Sequence, residues 1–176
     1  MRILKRIALF LLAVIGIILI AAAFIRKEYA VERSVLINRP ASEVFNYVKY
    51  IKNQDYYHKW SMIDTNCRRN YKGVDGTEGY SVAWDSDNSK AGKGEQQITN
   101  LDEGKRIDWG LRFIKPFEGN ANAYMTTADQ QNRTVVTWGM NGISKYPMNF
   151  MNLFMDNMLG KDMEGSLQML KANLER

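Results

Sequence analysis

The sequence predicts an α+β protein in which a curved antiparallel sheet wraps around a long C-terminal helix, preceded by one apolar helix. Three observations carry this prediction. Residues 7–25 contain no charged side chain, short segments between residues 67 and 142 alternate apolar and polar side chains, and apolar residues after Pro147 recur every three or four positions. These patterns are typical of a membrane-length helix, of strands with one buried face and of an amphipathic helix.

The N-terminal apolar run is long enough to cross a bilayer. At about 1.5 Å per residue, residues 7–25 form a helix of roughly 28 Å, close to the hydrocarbon thickness. Secretory signals usually have apolar regions of about 7–15 residues, so we expect an uncleaved anchor over residues 1–27 and one domain over residues 28–176. A cleaved signal is the alternative, because the three alanines at residues 21–23 resemble a cleavage site.

The net charge of +5 belongs to this anchor. Its first 27 residues hold five basic and no acidic side chains, so the rest of the chain carries equal numbers of each. A neutral domain lacks the clustered basic surface that nucleic-acid binding needs, and we expect no nucleic-acid partner. Three basic residues precede the apolar run and two follow it, which favours a cytoplasmic N-terminus and an exported domain.

The first elements of the domain are a strand and two short helices. Residues 29–37 predict the strand, although Arg33 interrupts its apolar phase. Pro40 suits the first turn of a helix that continues to Lys49. Residues 50–60 predict a second short helix that runs into a loop.

A series of short strands follows, separated by turns rich in Gly, Asn and Asp. The strands are predicted near residues 67–72, 80–84, 94–101, 107–113, 120–128 and 136–140. Short strands with such turns favour an antiparallel meander.

The terminal segment predicts one long amphipathic helix. Eight apolar residues from Met148 to Leu174 recur with a mean step of about 3.7, close to the helical period. Phe150, Phe154 and Met158 widen the apolar face in the first half. The meander is the only predicted partner large enough to cover this face, and its curvature would leave a space between sheet and helix.

The domain resembles the START-like superfamily, also called SRPBCC or helix-grip proteins, over residues of about 29–174. The resemblance rests on residues 31–45, where a strand, an Asn-Arg-Pro break and a helix follow one another, on Lys59-Trp60-Ser61, and on the terminal helix. It is greatest to bacterial membrane-anchored members of the polyketide cyclase/dehydrase and lipid transport group. The resemblance implies a hydrophobic cavity and a bacterial inner-membrane location, but no particular reaction.

Aromatic and methionine side chains are the expected cavity lining. Methionine adapts to varied apolar shapes, and tryptophan offers a large apolar surface, although ordinary core packing is the alternative for each residue. The candidates are Tyr80, Trp84, Trp109, Trp138, Met140, Met151, Met155 and Met158.

The sequence offers few candidates for acid–base or metal chemistry. The weak acid or base candidates are His58, Glu95 and Tyr124, and a lone histidine beside a lysine is usually a surface residue. One histidine and one cysteine cannot make a usual zinc site, and no nucleophile elbow or phosphate loop occurs. We therefore predict no catalytic residue, metal or cofactor.

These features favour a membrane-tethered domain that binds a lipid or another hydrophobic small molecule. Its expected partners are the bilayer and that molecule, with the oligomeric state open. A cyclase or dehydratase using the same cavity is one alternative, and a protein-interaction domain is a second.

Overall fold

The computed structural model describes residues 2–176, which form three α-helices, two 3₁₀ helices and seven strands. The α-helices are α1 (Arg2–Phe24), α2 (Ala41–Val48) and α3 (Asn152–Leu174), and the 3₁₀ helices are Ile51–Tyr56 and Met148–Met151. The strands are β1 (Glu28–Ile37), β2 (Arg68–Lys72), β3 (Ser81–Asp85), β4 (Lys93–Asp102), β5 (Arg106–Lys115), β6 (Gly119–Asp129) and β7 (Thr134–Ile143).

The seven strands form one antiparallel sheet in the order β1-β7-β6-β5-β4-β3-β2. The meander from β2 to β7 pairs each strand with the next along the chain, and β1 then pairs with β7. Helix α3 crosses the concave face, and the core lies between that face, α2 and α3. The predicted helix-grip architecture is confirmed, including the two short helices after the first strand.

Arg33 follows the inward phase of β1 rather than breaking it. Its Nε donates to Glu164 Oε1 (2.6 Å) and its Nη1 to Asp156 Oδ1 (2.9 Å), both on α3. The guanidinium lies against Gly160, where a side chain would occupy the same space. The polar residue in an apolar phase therefore ties β1 to α3, and its hydrogen bond to the Asp156 carboxylate lowers the pKa of that group.

Helix α3 buries only part of the predicted apolar face. In its second half, Met163, Leu167 and Leu170 are fully buried in the core. In its first half, Phe154 and Met158 are about half exposed. The expectation that the sheet covers the whole face is wrong, because the first half runs beside the start of β1, where the sheet meets only one side of the helix.

Helix α1 projects from the domain with most of its side chains exposed. Within residues 2–176, Ile3–Phe24 is the one helix long and apolar enough to cross a membrane, and a signal sequence would meet the same criteria. Its C-terminal end packs on the second 3₁₀ helix, where Ala22 is buried and Asn149 Nδ2 donates to the Ala22 carbonyl oxygen (2.6 Å).

Candidate functional site

A cavity of about 300 Å³ lies between the concave face of the sheet, α3 and the segment from the first 3₁₀ helix to β2. Its lining is mostly apolar and rich in aromatic rings. The strands contribute Arg69, Tyr71, Val82, Trp84, Gln96, Trp109, Leu111, Phe113, Lys115, Ala123, Met125, Trp138 and Met140, and α3 contributes Leu159.

The space results from small residues set between large ones. Ala123 on β6 faces the cavity, and the strand register pairs it with Trp109 on β5 and Met140 on β7. The methyl group of Ala123 leaves the volume between these two large side chains unfilled. Alternate side chains of a strand face the same side of the sheet. The aromatic rings on that side therefore form the wall, and the small Ala123 side chain leaves the space between them.

Four of the eight lining candidates border this cavity: Trp84, Trp109, Trp138 and Met140. Trp84 Nε1 donates to the Ala91 carbonyl oxygen (3.1 Å), which holds the ring across the end of the sheet. The indole N–H groups of Trp109 and Trp138 are enclosed in the wall without a partner among residues 2–176. The mostly apolar wall therefore contains two buried N–H donors that lack an acceptor in the described part of the chain.

The other four candidates lie outside the cavity wall. Tyr80 is buried next to it, with its ring stacked on Tyr71 at 6.4 Å between centroids. Met155 packs partly against the core, while Met151 at the end of the second 3₁₀ helix and Met158 on the first half of α3 are exposed. The helical period correctly groups these methionines on one side, but only Leu159 of α3 turns towards the cavity.

His58, expected at the surface, lines the cavity instead. Its ring lies between Trp60 and Trp138, at 5.1 and 4.9 Å between centroids. Burial among these rings lowers the pKa of His58 to about 4, so the ring is neutral at physiological pH. The Ser61 backbone N–H donates to Nδ1 (3.4 Å), which assigns the ring proton to Nε2.

The segment that carries His58 is fastened to the second half of α3. The Lys59 backbone N–H donates to Ser166 Oγ (3.0 Å), and Trp60 Nε1 donates to Asp162 Oδ2 (3.2 Å). These two bonds hold the loop across the cavity and set the orientation of the adjacent histidine. The Lys59-Trp60-Ser61 motif thus has a direct structural role.

Glu95 and Tyr124 lie away from the cavity. Glu95 lies opposite Arg112 in the register of β4 and β5, and it does not line the cavity. Tyr124 lies on the convex face, where its hydroxyl donates to the Glu32 carboxylate beneath the Arg106 guanidinium. This hydrogen bond and partial burial raise the pKa of Tyr124. Of the three acid or base candidates, only His58 borders the cavity.

An ion pair in the cavity wall is absent from the site residues predicted from the sequence. Arg69 pairs with Asp55 and donates from Nη2 to the Ser61 carbonyl oxygen (3.0 Å). The position of Arg69 in the wall could have been predicted from the alternation of β2, because residues two apart, such as Arg69 and Tyr71, lie on the same side of a strand. Across residues 2–176, no three His, Cys, Asp or Glu side chains gather in a way that could hold a metal ion.

Residues 29–175 match the family described as polyketide cyclase/dehydrase and lipid transport. The chain belongs to this family. The START-like resemblance is therefore confirmed over nearly the same residues on which it was predicted. No functionally curated protein is significantly similar in sequence to the chain.

Solved structures share the fold of this polyketide cyclase/dehydrase and lipid transport domain at low sequence identity. Protein CV1439 from Chromobacterium violaceum is 15% identical with a TM-score of 0.60, over 84% of this chain and 97% of that one. The Mll3558 protein from Rhizobium loti is 12% identical with a TM-score of 0.62, over 82% and 96%.

A third similar structure is the di-domain ARO/CYC BexL from the BE-7585A biosynthetic pathway. It is 12% identical with a TM-score of 0.61, and the match covers 85% of this chain and 51% of BexL. At such identities the likeness shows the fold alone.

Proposed function

We propose that this chain is a membrane-tethered binding protein for one small hydrophobic molecule, a lipid or a lipid-like compound, held between the sheet and α3. The observation that carries the proposal is the partly open, aromatic-lined cavity between the sheet and α3. Its volume of about 300 Å³ lies at the lower end of the roughly 300–1,000 Å³ of small-molecule sites. That size suits a compact apolar molecule or a single acyl chain rather than a whole two-chain phospholipid.

His58 supplies a polar contact within this apolar space. With Nδ1 accepting from Ser61, Nε2 carries the proton and can donate to an oxygen of the ligand. The neutral ring adds no buried charge that the ligand would have to balance. The part of the wall next to His58 therefore favours an uncharged, oxygen-bearing group of the ligand.

Helix α1 supports the tether. Its length suits a bilayer, and its C-terminal end is integrated into the domain through the buried residues Ala22 and Asn149. A signal that is cleaved at residues 21–23 would remove part of this packing. The proposed organisation is an anchor over residues 1–27 and a binding domain over residues 28–176, exported from a bacterial inner membrane with the N-terminus in the cytoplasm.

The proposal can be tested with a substitution that fills the cavity and leaves helix α1 unchanged. Ala123→Phe occupies the space beside Trp109, whereas Ala128→Phe adds the same ring at an exposed position of the same strand. The full chain and both variants are purified in native-lipid nanodiscs, and the extracted small molecules are compared by mass spectrometry. Because bulk lipid is common to all three, a compound present in wild type and Ala128→Phe but depleted in Ala123→Phe would support the proposal. Identical extracts from the three proteins would refute it.

A cyclase or dehydratase activity is the second candidate, and His58 is the observation that favours it. A general base works best when its pKa lies near the operating pH, and a pKa of about 4 makes His58 a weak base at neutrality. This favours a hydrogen-bonding role over catalysis. If the enzyme alternative holds, His58→Gln should retain a different compound from wild type, such as one heavier by a water molecule. The binding proposal predicts the same compound at lower occupancy.

A further inference from the structure

The end of α1 is bound directly to the second 3₁₀ helix and to the first residue of α3. Asn149 Nδ2 donates to the carbonyl oxygens of Ala22 (2.6 Å) and Ile25 (2.8 Å). Asn152 Nδ2 donates to the carbonyl oxygens of the two residues that precede β1, at 3.0 and 2.9 Å. Carbonyl groups at a helix end otherwise lack partners, so these bonds fix the domain relative to α1.

An apolar stripe begins at this junction and runs along the first half of α3. Met151, Phe154 and Met158 are spaced three and four residues apart and are 37%, 49% and 54% exposed. Phe150 packs edge to face on Phe154, with ring centroids 5.9 Å apart. Phe24, at the end of α1, is also exposed. The exposed apolar side chains of the helix thus adjoin the helix that would cross the membrane.

The turn between β5 and β6 lies at the same end of the sheet. The register places the start of β1 opposite the end of β7, with Glu28 opposite Ile143. It likewise places the end of β5 opposite the start of β6, with Phe113 opposite Gly119. Phe117 in the intervening turn is 70% exposed. A second apolar contact therefore lies at the end of the sheet nearest α1.

We propose that this end of the domain docks on the bilayer, with the stripe Met151, Phe154 and Met158, and also Phe117, buried in the head-group layer. Amphipathic surfaces of this kind bury their apolar face roughly 5–10 Å into the boundary between head groups and acyl chains. The exposed Lys145 can extend its ammonium to the head groups from an apolar stem.

Docking would place part of the cavity wall at the membrane. The lining residue Lys90 is in the β3–β4 connection, Lys115 ends β5, and Pro116 follows it in the β5–β6 connection, all at this same end of the sheet. A hydrophobic ligand could then pass between bilayer and cavity without crossing bulk water. The inference rests on the proposed tether, because the bilayer is the occupant only if α1 spans it.

The test places single environment-sensitive fluorophores on the full chain in phosphatidylcholine nanodiscs, with and without brominated acyl chains. In a Cys67→Ser background, Met158→Cys and Phe117→Cys report on docking. Gln168→Cys is the matched control, since Gln168 is exposed on the second half of the same helix. Ile17→Cys reports on the tether alone.

The proposal predicts that brominated lipid quenches the labels at residues 17, 117 and 158 and leaves the label at residue 168 unchanged. Quenching at residue 17 alone would overturn docking and leave the tether intact. An unquenched label at residue 17 would overturn the tether and docking with it. A label at residue 158 that is shielded from aqueous iodide, yet unquenched by brominated lipid, would assign the stripe to a protein partner or a second copy and overturn bilayer docking.

A triple variant tests whether the two contacts act as one surface. Met151→Gln, Phe154→Gln and Met158→Gln remove the apolar stripe at exposed positions and keep good helix formers. The label at residue 117 should then lose much of its quenching, while the label at residue 17 keeps its own. Unchanged quenching at residue 117 would contradict a docking surface shared by the helix and the turn.

Discussion

The two halves of α3 have the same apolar spacing and different surroundings. In the second half, Met163, Leu167 and Leu170 are buried against the sheet. In the first half, Phe154 and Met158 face outwards beside the end of α1. Hydrophobic periodicity therefore identifies the face of a helix that avoids water, but not the partner that covers it. The second half completes the hydrophobic core, and we propose that the exposed side of the first half meets the membrane.

The largest expected difference between the halves is in stability. Leu170→Ala removes a fully buried side chain and should lower the free energy of unfolding by about 2–5 kcal/mol. Met158→Ala, at a half-exposed position, should change it by less than about 0.5 kcal/mol. Denaturant unfolding of the full chain in micelles, followed by tryptophan fluorescence, measures both. Similar losses in the two variants would mean that the first half is packed as tightly as the second.

The stability of the cavity wall should respond to pH through His58. Burial lowers its pKa to about 4, below the roughly 6.5 of an unfolded chain. The unfolded state therefore binds the proton more readily, and the stability present above pH 6.5 is lost as pH falls towards 4. The free energy of unfolding should fall by on the order of 2–3 kcal/mol more in wild type than in His58→Gln over this range. Parallel pH curves for the two proteins would place His58 in contact with bulk water.

Substitutions of Arg33 on β1 and of Gly160 in the middle of α3 should have non-additive effects on the free energy of unfolding. An added Cβ at residue 160 would displace the Arg33 guanidinium from its place on the helix. In an Arg33→Ala background, Gly160→Ala should raise the free energy of unfolding by about 0.5–1 kcal/mol, because alanine favours the helix. In wild type this gain should be cancelled or reversed. A double-mutant cycle measures the coupling, and the same gain in both backgrounds would rule out the contact.

The fold could be predicted because its signals are local. Alternation in the strands and the break at Pro40 depend on neighbouring residues, and each predicted element is present within a few residues of its expected position. Arg33 was misjudged as a break in the β1 pattern, because its partners Asp156 and Glu164 lie on α3, far away in the sequence.

The candidate site was less predictable, because it depends on which surfaces meet. Trp109, Trp138 and Met140 were correctly directed to the concave face by strand phase. Met158 was assigned to the same space, although α3 turns that side outwards. The position of His58 depends on bonds between its loop and α3, which no short-range pattern encodes.

Native mass spectrometry of the full chain ejected from nanodiscs tests the central claim most directly. If the space beside Ala123 is a binding site, wild type and Ala128→Phe should each retain a single small-molecule adduct per chain, and Ala123→Phe should show the mass of the bare chain. A bare wild-type chain, or the same adduct on Ala123→Phe, would contradict the account, because the cavity would then bind no ligand.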